Sequence, residues 1–128
     1  MAESSKKKIL IIDDDSFLLD MYALKFTQAG LDVDTALGSV QALEKVRAAN
    51  TFDVVLLDIV MPIMDGFELL AKINEEHLVP HACRIILSNR GAKEDIEQGK
   101  LLGANGYIVK ANATPAEVVT QVQAIAKL

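Results

Sequence analysis

The sequence predicts an α/β fold with three layers, in which helices cover both faces of a five-stranded parallel sheet. Five short apolar runs alternate with five longer segments of helical spacing, an order that favours strand–helix–strand units. The runs at 9–12, 54–57 and 85–87 are continuously apolar, which is typical of strands buried on both faces. Because strand–helix–strand crossovers are right-handed, these units wind into a doubly wound sheet.

Each predicted element has a local signal. The strands are predicted at 8–12, 31–36, 54–57, 84–87 and 107–109, where the apolar runs lie. The helices are predicted between the runs, at 16–29, 39–49, 67–76, 93–102 and 115–127. Gly30 follows the first helix and is typical of a helix C-terminus. The last helix begins with Thr114 as cap, Pro115 at the first helical position and Glu117 three residues after the cap, which is a common helix start.

The composition indicates one globular domain. The chain has 128 residues, 51% of them hydrophobic, and a formal net charge of −5, so it can form one packed core and is too acidic for typical nucleic-acid binding. No stretch approaches the roughly 18 apolar residues of a membrane span, and residues 1–5 lack the apolar core of a signal peptide. Cys83 is the single cysteine, which excludes an intramolecular disulfide. We therefore expect a cytoplasmic protein with a flexible N-terminal tail at 1–7 and one domain at 8–128.

Polar side chains follow four of the five predicted strands. They are Asp13, Asp14 and Asp15 after the first strand, Asp58 after the third, Ser88 after the fourth and Lys110 after the fifth. The carboxyl ends of parallel strands lie at one edge of a sheet, and ligands of open α/β sheets bind there. We therefore expect these side chains to share one site, whereas the second strand, which ends at Ala36, contributes none.

The chemistry of this predicted site suits phosphoryl transfer. Clustered carboxylates repel each other without a cation and are ligands that Mg²⁺ prefers, and an ammonium such as that of Lys110 neutralises phosphoryl oxygens. Asp58 stands alone and is the expected nucleophile, which leaves Asp13 and Asp14 for the metal. Simpler interpretations stay open: Asp15 directly precedes a helix and is expected to cap it, and Lys110 would then be only a structural counter-ion.

These motifs resemble the receiver domain of two-component response regulators, and the resemblance covers about residues 7–128. It rests on the acidic pair Asp13-Asp14, on Asp58 followed by Met61-Pro62 and Asp65-Gly66, on Ser88, and on Lys110 after Tyr107-Ile108-Val109. Any single motif is weak, but all of them occur in order. The resemblance implies a stand-alone, chemotaxis-regulator-like receiver with the flavodoxin-like (βα)5 fold and the strand order 2-1-3-4-5.

The resemblance also implies a role for each site residue. Asp58 would accept a phosphoryl group from a histidine kinase or a histidine phosphotransfer protein. Asp14, Asp58 and the backbone carbonyl of Val60 would bind Mg²⁺ directly, and Asp13 would bind it through water. Lys110 would contact the phosphate. The domain would take up and lose its own phosphoryl group without being a turnover enzyme.

By the same resemblance, a switch would couple this site to a partner surface. Ser88 would move toward the phosphoryl group and Tyr107 would change rotamer with it, which is the logic of a charge-driven conformational switch. The output would be a downstream protein effector or a phosphorylation-dependent dimer, without direct nucleic-acid contact or membrane insertion. No output domain follows the last predicted helix, so a stand-alone regulator and an excised domain both stay open.

Two helices carry further signals. Apolar side chains spread over more than one face of the first helix, so some are expected at the surface as a partner contact. Gly99 lies inside the fourth helix and predicts that this helix is the least stable and moves on activation. His77 and His81 are expected in loops rather than as relay histidines.

The chain departs from the pattern of this family at two positions. Ala111 follows Lys110 where the family usually has a proline with a cis bond. A cis bond before a non-proline residue costs about 2.5–4 kcal/mol, so this loop is expected to be trans or strained. Asn89 is larger than the small residue that usually follows the serine, and with Val60 and Arg90 it would tune the phosphoryl lifetime.

Three other interpretations stay open at this point. The run Asp13-Asp14-Asp15-Ser16 also resembles the nucleophile motif of haloacid-dehalogenase-type phosphatases, in which Asp13 would be the nucleophile. A flavodoxin-like cofactor binder would share the fold, but three carboxylates after the first strand would repel its phosphate. A receiver-like scaffold that is never phosphorylated is the third. Treatment with acetyl phosphate or beryllofluoride and Mg²⁺ separates them, because a receiver is modified at Asp58.

Overall fold

The computed structural model describes residues 6–49 and 51–128. Residues 1–5, which make up most of the tail expected at 1–7, lie outside these described residues. Within them, five strands and five α-helices alternate along the chain, and a short 3-10 turn precedes the last helix. This order confirms the α/β class predicted from the apolar runs.

The elements follow the predicted order without omission. The strands are β1 (Lys8–Asp13), β2 (Asp32–Leu37), β3 (Val54–Leu57), β4 (Cys83–Ser88) and β5 (Gly106–Val109). The helices are α1 (Ser16–Gln28), α2 (Ser39–Ala48), α3 (Gly66–Glu75), α4 (Lys93–Leu101) and α5 (Pro115–Ala126), and the 3-10 turn spans Lys110–Asn112. Every predicted helix and strand is confirmed, with each end within one residue of the predicted end.

The five strands form one sheet in the order β2-β1-β3-β4-β5, and all neighbouring pairs are parallel. This order confirms the flavodoxin-like arrangement. The chain leaves β1 toward β2 on one side and returns to β3 on the other side, so β1 and β3 flank the point where the winding reverses. A crevice at the carboxyl ends of these two strands is where an open α/β sheet binds ligands.

Side chains of β1 alternate between two cores, one on each face of the sheet. Ile9 and Ile11 pack with apolar side chains of α1 and α5, whereas Leu10 and Ile12 pack with those of α2 and α3. All four are almost completely buried, which explains why the sequence of this strand shows no polar alternation. The sheet therefore has covered faces, and its two ends remain for functional groups.

Helix α1 confirms the expectation that some of its apolar side chains reach the surface. Leu19, Tyr22 and Phe26 are buried, but Phe17 is 76% exposed and Leu24 is 57% exposed. None of the helices in the described residues is long and apolar enough to cross a membrane. The exposed side chains of α1 therefore remain candidates for a protein contact.

Helix α4 approaches the sheet closely at its glycine. Gly99 is the buried residue of this helix, and a Cβ added there would lie 2.7 Å from the Cδ1 of Ile86 in β4. Packing thus explains why the helix has a glycine in its interior. The expectation that α4 is the least stable helix stays a prediction.

Candidate functional site

The acidic run after β1 divides into three different environments. Asp13 is 3% exposed; its Oδ1 accepts the backbone N–H of Asp15 at 3.0 Å. Asp14 is exposed. Asp15 accepts the backbone N–H groups of Phe17 and Leu18 and so caps α1, as the sequence predicted. Only Asp13 and Asp14 are therefore free of the capping role.

Asp58 directly follows β3, beside Asp13 at the end of the neighbouring strand. It is 8% exposed, its Oδ1 accepts the backbone N–H of Ile59 at 2.7 Å, and its own N–H donates to the carbonyl of Ile12 at 3.1 Å. These contacts fix the carboxylate at the carboxyl edge of the sheet. The expectation that the two acidic strand ends meet is therefore correct.

The loop from Asp58 to α3 folds back so tightly that the start of α3 lies against the backbone of Asp58. A Cβ on Gly66 would lie 2.2 Å from the backbone oxygen of Asp58, so only glycine fits there. The next helix is fixed by a reciprocal capping pair, in which the Asp65 side chain accepts the N–H of Glu68 and the Glu68 side chain accepts the N–H of Asp65. This capping pair was not predicted, although an acid followed three residues later by Glu is its signal in the sequence.

Lys110, the first residue after β5, lies between the two buried carboxylates. Its Nζ donates to Asp13 Oδ2 and to Asp58 Oδ2, each at 2.8 Å. The lysine side chain is itself largely buried, with 9% of its surface exposed. One ammonium thus joins the ends of three strands, β1, β3 and β5.

Burial and pairing have opposite effects on the lysine. Burial by itself lowers the pKa of Lys110, but the hydrogen bonds that its ammonium donates to Asp13 and Asp58, and the attraction of their charges, outweigh it, so the pKa lies above its usual 10.5. The pKa of Asp13 is also raised, chiefly by burial, although Lys110 and the N–H of Asp15 oppose the shift. The site holds more negative than positive charge, which favours a further cation.

Three carboxylates form a compact group of oxygen donors. Asp13, Asp14 and Asp58 each offer one oxygen, and the three oxygens lie within 4.8 Å of one another. Hard oxygen donors of this kind fit Mg²⁺. Val60 follows Asp58 by two residues in the same loop and is exposed. The donor set therefore fits the metal that the sequence predicted.

Ser88 lies at the end of β4 and is completely buried. Its Oγ accepts the backbone N–H of Arg90 at 3.2 Å. In the described part of the chain its hydrogen-bond partners include neither Asp58 nor Lys110. Tyr107 in β5 is half-buried, and its hydroxyl donates to the carbonyl of Arg90. The two predicted switch residues are thus joined through one residue of the β4–α4 loop.

Two loop expectations are resolved. No cis peptide bond occurs in residues 6–49 and 51–128, so the Lys110–Ala111 bond is trans and the chain continues as a 3-10 turn. His77 and His81 are exposed in the segment between α3 and β4, as expected for loop residues.

Comparisons with known proteins agree with this geometry. A family model described as "Response regulator receiver domain" matches residues 9–123. Chemotaxis protein CheY of Treponema pallidum is 38% identical over 105 residues, which are 80% of this chain and 72% of that protein. The solved structure of chemotaxis protein CheY4 of Vibrio cholerae has a TM-score of 0.86 and 29% identity, and covers 94% of this chain and 99% of that one.

A longer regulator is also similar. Transcriptional regulatory protein ResD of Bacillus subtilis is 32% identical over 125 residues. These residues are 98% of this chain but 50% of that protein. The chain therefore spans about half the length of this relative and the greater part of the chemotaxis protein.

Proposed function

The chain belongs to the family of response regulator receiver domains, and on that premise we propose that it accepts a phosphoryl group on Asp58 from the phosphohistidine of a histidine kinase or a histidine phosphotransfer protein. Receiver domains are signalling modules rather than turnover enzymes. One observation carries the proposal: the Lys110 ammonium contacts the buried carboxylates of Asp13 and Asp58 at 2.8 Å. An acceptor, a second acid and a cation are thereby assembled at one sheet edge.

The transfer is a displacement at phosphorus. A carboxylate oxygen of Asp58 attacks the phosphoryl group, a P–O bond forms, and the P–N bond to the donor imidazole breaks. The electron pair of that bond stays with the ring nitrogen, the leaving imidazole takes up a proton from water, and Asp58 carries an acyl phosphate. Lys110 lies within hydrogen-bond distance of Asp58, so its ammonium neutralises charge on the oxygens of the transferred group.

Asp13, Asp14 and Asp58 are the residues that would hold Mg²⁺, together with the backbone carbonyl of Val60. When bound, Mg²⁺ supplies positive charge that offsets the charge of the phosphoryl oxygens. The exposed Asp14 lies on the solvent side of the group, whereas Asp13 and Asp58 are buried and share Lys110. Since Lys110 already contacts both buried carboxylates, the three acids have to accommodate two cations.

The new charge acts through Ser88 and Tyr107. A phosphoryl group on Asp58 adds acceptor oxygens beside the end of β4, where the Ser88 hydroxyl is buried. Donation of that hydroxyl to the phosphoryl group shifts the loop that also accepts the Tyr107 hydroxyl. The domain then presents a changed surface to a downstream protein effector in the cytoplasm. Asn89 and Arg90 in this loop, together with Val60 in the loop after β3, tune the lifetime of the acyl phosphate.

Treatment with acetyl phosphate and Mg²⁺ tests the proposal. We expect a mass gain of one phosphoryl group in the wild-type chain, and none in Asp58→Asn, a change that preserves shape but removes the nucleophile. Beryllofluoride should bind the wild type and not the variant. Asp14→Asn, with the acceptor intact, should weaken Mg²⁺ binding and slow the reaction.

The same experiment separates the alternatives. Label at Asp13 that survives in Asp58→Asn would indicate a haloacid-dehalogenase-like phosphatase. No label on any residue, with normal Mg²⁺ binding, would indicate an unphosphorylated receiver-like scaffold. Either result would overturn the proposal.

A further inference from the structure

Ile63, in the loop between β3 and α3, has a backbone conformation that is unfavourable for its side chain. Its φ is 73°, in the left-handed region that β-branched residues rarely adopt. The N–H of Met64 donates to the carbonyl of Pro62 at 2.8 Å, which closes a three-residue turn around Ile63. Such a turn is strained when the φ of its central residue is positive. Asparagine or glycine would adopt this conformation at a lower cost in free energy.

Packing does not compensate for the strain at Ile63. Its side chain is 88% exposed, so it adds little buried apolar surface to the fold. Val79, the other β-branched residue with a positive φ among residues 6–49 and 51–128, is 1% exposed and belongs to the core. Local strain is typically kept where function requires it. A strained and exposed isoleucine therefore points to a contact outside the folded chain.

Ile63 borders a cleft between its own loop and the start of α2. The cleft has a volume of about 200 Å³, and its lining includes the apolar residues Leu37, Val40, Pro62 and Ile63. Leu37 is 47% exposed and Val40 is 48% exposed. We name Leu37, Val40 and Ile63 together the α2-side patch. Since a cavity of roughly 150 Å³ holds a benzene molecule, the cleft has room for one aromatic or aliphatic side chain of a partner.

The cleft adjoins the site of the proposed phosphoryl transfer. Asp14 lines the cleft and also offers an oxygen to the acidic group that it forms with Asp13 and Asp58. The residues of the proposed switch lie elsewhere: Ser88 ends β4 and Tyr107 lies in β5, and β3 separates both strands from β2. The α2-side patch is therefore next to the acceptor but away from the switch.

We propose that the α2-side patch is a docking surface for the protein that donates the phosphoryl group, and that this donor inserts an aromatic or aliphatic side chain beside Ile63. The inference rests on the proposed function and names a contact surface for its donor. The donor has to approach Asp58 before the phosphoryl group is attached, and the patch is formed in that state. A downstream effector, by contrast, has to bind a surface that the modification changes.

Replacement of Ile63 by asparagine separates the contact from the fold. Ile63→Asn removes the apolar side chain but suits a positive φ, so the midpoint of thermal unfolding should rise by roughly 2–5 °C. The donor is a purified histidine kinase or histidine phosphotransfer protein that phosphorylates the wild type. We expect the chain concentration that gives half-maximal transfer to rise roughly five- to tenfold, with the maximal rate unchanged. The rate with acetyl phosphate and Mg²⁺ should equal that of the wild type.

Two further variants complete the experiment. Val40→Ala shortens the α2 wall of the cleft, and it should raise the half-maximal concentration for the protein donor by a smaller factor than Ile63→Asn. Leu101→Asn is the matched control, because Leu101 is 85% exposed and lies on α4 rather than at the cleft. It should change neither the transfer from the protein donor nor the reaction with acetyl phosphate.

The outcomes separate this inference from the proposed function. If the wild type takes up no phosphoryl group from acetyl phosphate or from a protein donor, the proposed function fails, and the inference fails with it. Equal transfer from the protein donor to Ile63→Asn and to wild type overturns the docking role and leaves the proposed function intact. An equal loss with both donors also overturns it, because Ile63 would then act on the acceptor site itself. If Ile63→Asn abolishes a self-association of the wild type and leaves transfer unchanged, the patch binds a second copy of the chain instead of the donor.

Discussion

At the scale of single residues, the charges at the centre of the site do not balance. The ammonium of Lys110 contacts the buried carboxylates of both Asp13 and Asp58, and Asp14 adds a third carboxylate oxygen within 4.8 Å. Burying a charge is costly unless it is paired. We infer that part of the folding free energy is given up to keep this cluster ready for a cation and a phosphoryl group.

Asp13→Asn should raise the free energy of unfolding at neutral pH when no divalent cation is present. Burial raises the pKa of Asp13 above its usual 3.8, with opposing effects of Lys110 and the N–H of Asp15. A carboxyl group with a raised folded-state pKa stabilises the fold below its unfolded pKa, and this contribution is lost as the pH rises through the folded pKa. The stability gap between variant and wild type should therefore open as the pH rises above 3.8.

Urea denaturation at a series of pH values measures this gap. Asp20→Asn is the matched control, because Asp20 is an exposed carboxylate on α1, and its replacement should leave the free energy of unfolding at pH 7 within about 0.5 kcal/mol of wild type. A wild type that is more stable than Asp13→Asn at pH 7 would contradict the account of the charge cluster.

Two glycines allow a second comparison at this scale, because both lie in helices and meet different neighbours. In Gly66→Ala the new Cβ would lie 2.2 Å from the backbone oxygen of Asp58, whereas in Gly99→Ala it would lie 2.7 Å from the end of the Ile86 side chain. Backbone has less freedom to move than the tip of a side chain. We expect Gly66→Ala to cost about 2–3 kcal/mol of stability and Gly99→Ala to stay within about 1 kcal/mol of wild type, since alanine also favours the helix. Equal losses in urea denaturation would refute this contrast.

At the scale of elements, α3 and α4 differ in how they are held. Helix α3 has a reciprocal capping pair and four buried residues, Gly66, Leu69, Leu70 and Ile73. Helix α4 has no side-chain cap, and Gly99 is its one buried residue. Arg90, in the loop between β4 and α4, pairs with Asp95 of α4. Because α4 is held by few buried side chains, it is the helix that a movement of this loop can shift at the least cost in free energy.

Hydrogen exchange should therefore show that α4 opens more readily than α3. We expect its backbone amides to exchange roughly tenfold faster or more under native conditions, because less apolar surface has to be exposed for α4 to open. Mass spectrometry of peptides from Lys93–Leu101 and Gly66–Glu75 gives the comparison within one sample. Protection of α4 equal to that of β1 and β3 would rule out this helix as the mobile element.

At the scale of the whole molecule, the helices and strands follow from local sequence signals, whereas the contacts inside the site depend on elements that are distant in the sequence. The helices and strands were predictable to within one residue, because each depends on local apolar spacing and on capping residues such as Thr114. The meeting of Asp13, Asp58 and Lys110 was predictable as well, since parallel strands end at one edge. The bridging of both carboxylates by the one Lys110 ammonium was not, because it depends on the distances and side-chain conformations at the three strand ends. The position of Arg90 likewise depends on α3, α4 and β5 together.

The exposed apolar side chains of the described residues are distributed unevenly over the molecule. Five of the eight large ones lie at the carboxyl edge of the sheet: Phe17, Leu37, Val40, Val60 and Ile63. They surround the strand ends and loops that carry the acidic cluster. Under the proposed function, a donor protein brings its phosphohistidine to this edge, and exposed apolar patches are typical of protein contacts.

Phe17→Ala should therefore slow phosphoryl transfer from a histidine kinase that phosphorylates the wild type, by roughly tenfold. The rate with acetyl phosphate should stay unchanged, because a small donor needs Asp58, Lys110 and Mg²⁺ but no protein contact. Leu101→Ala is the matched control, since Leu101 is an apolar side chain on α4 that is at least as exposed as Phe17, and it should change neither rate. If Phe17→Ala slowed both donors equally, Phe17 would act on the site itself; if it slowed neither, the donor would bind elsewhere. A selective loss with the kinase identifies the first turn of α1 as part of the surface on which the donor docks.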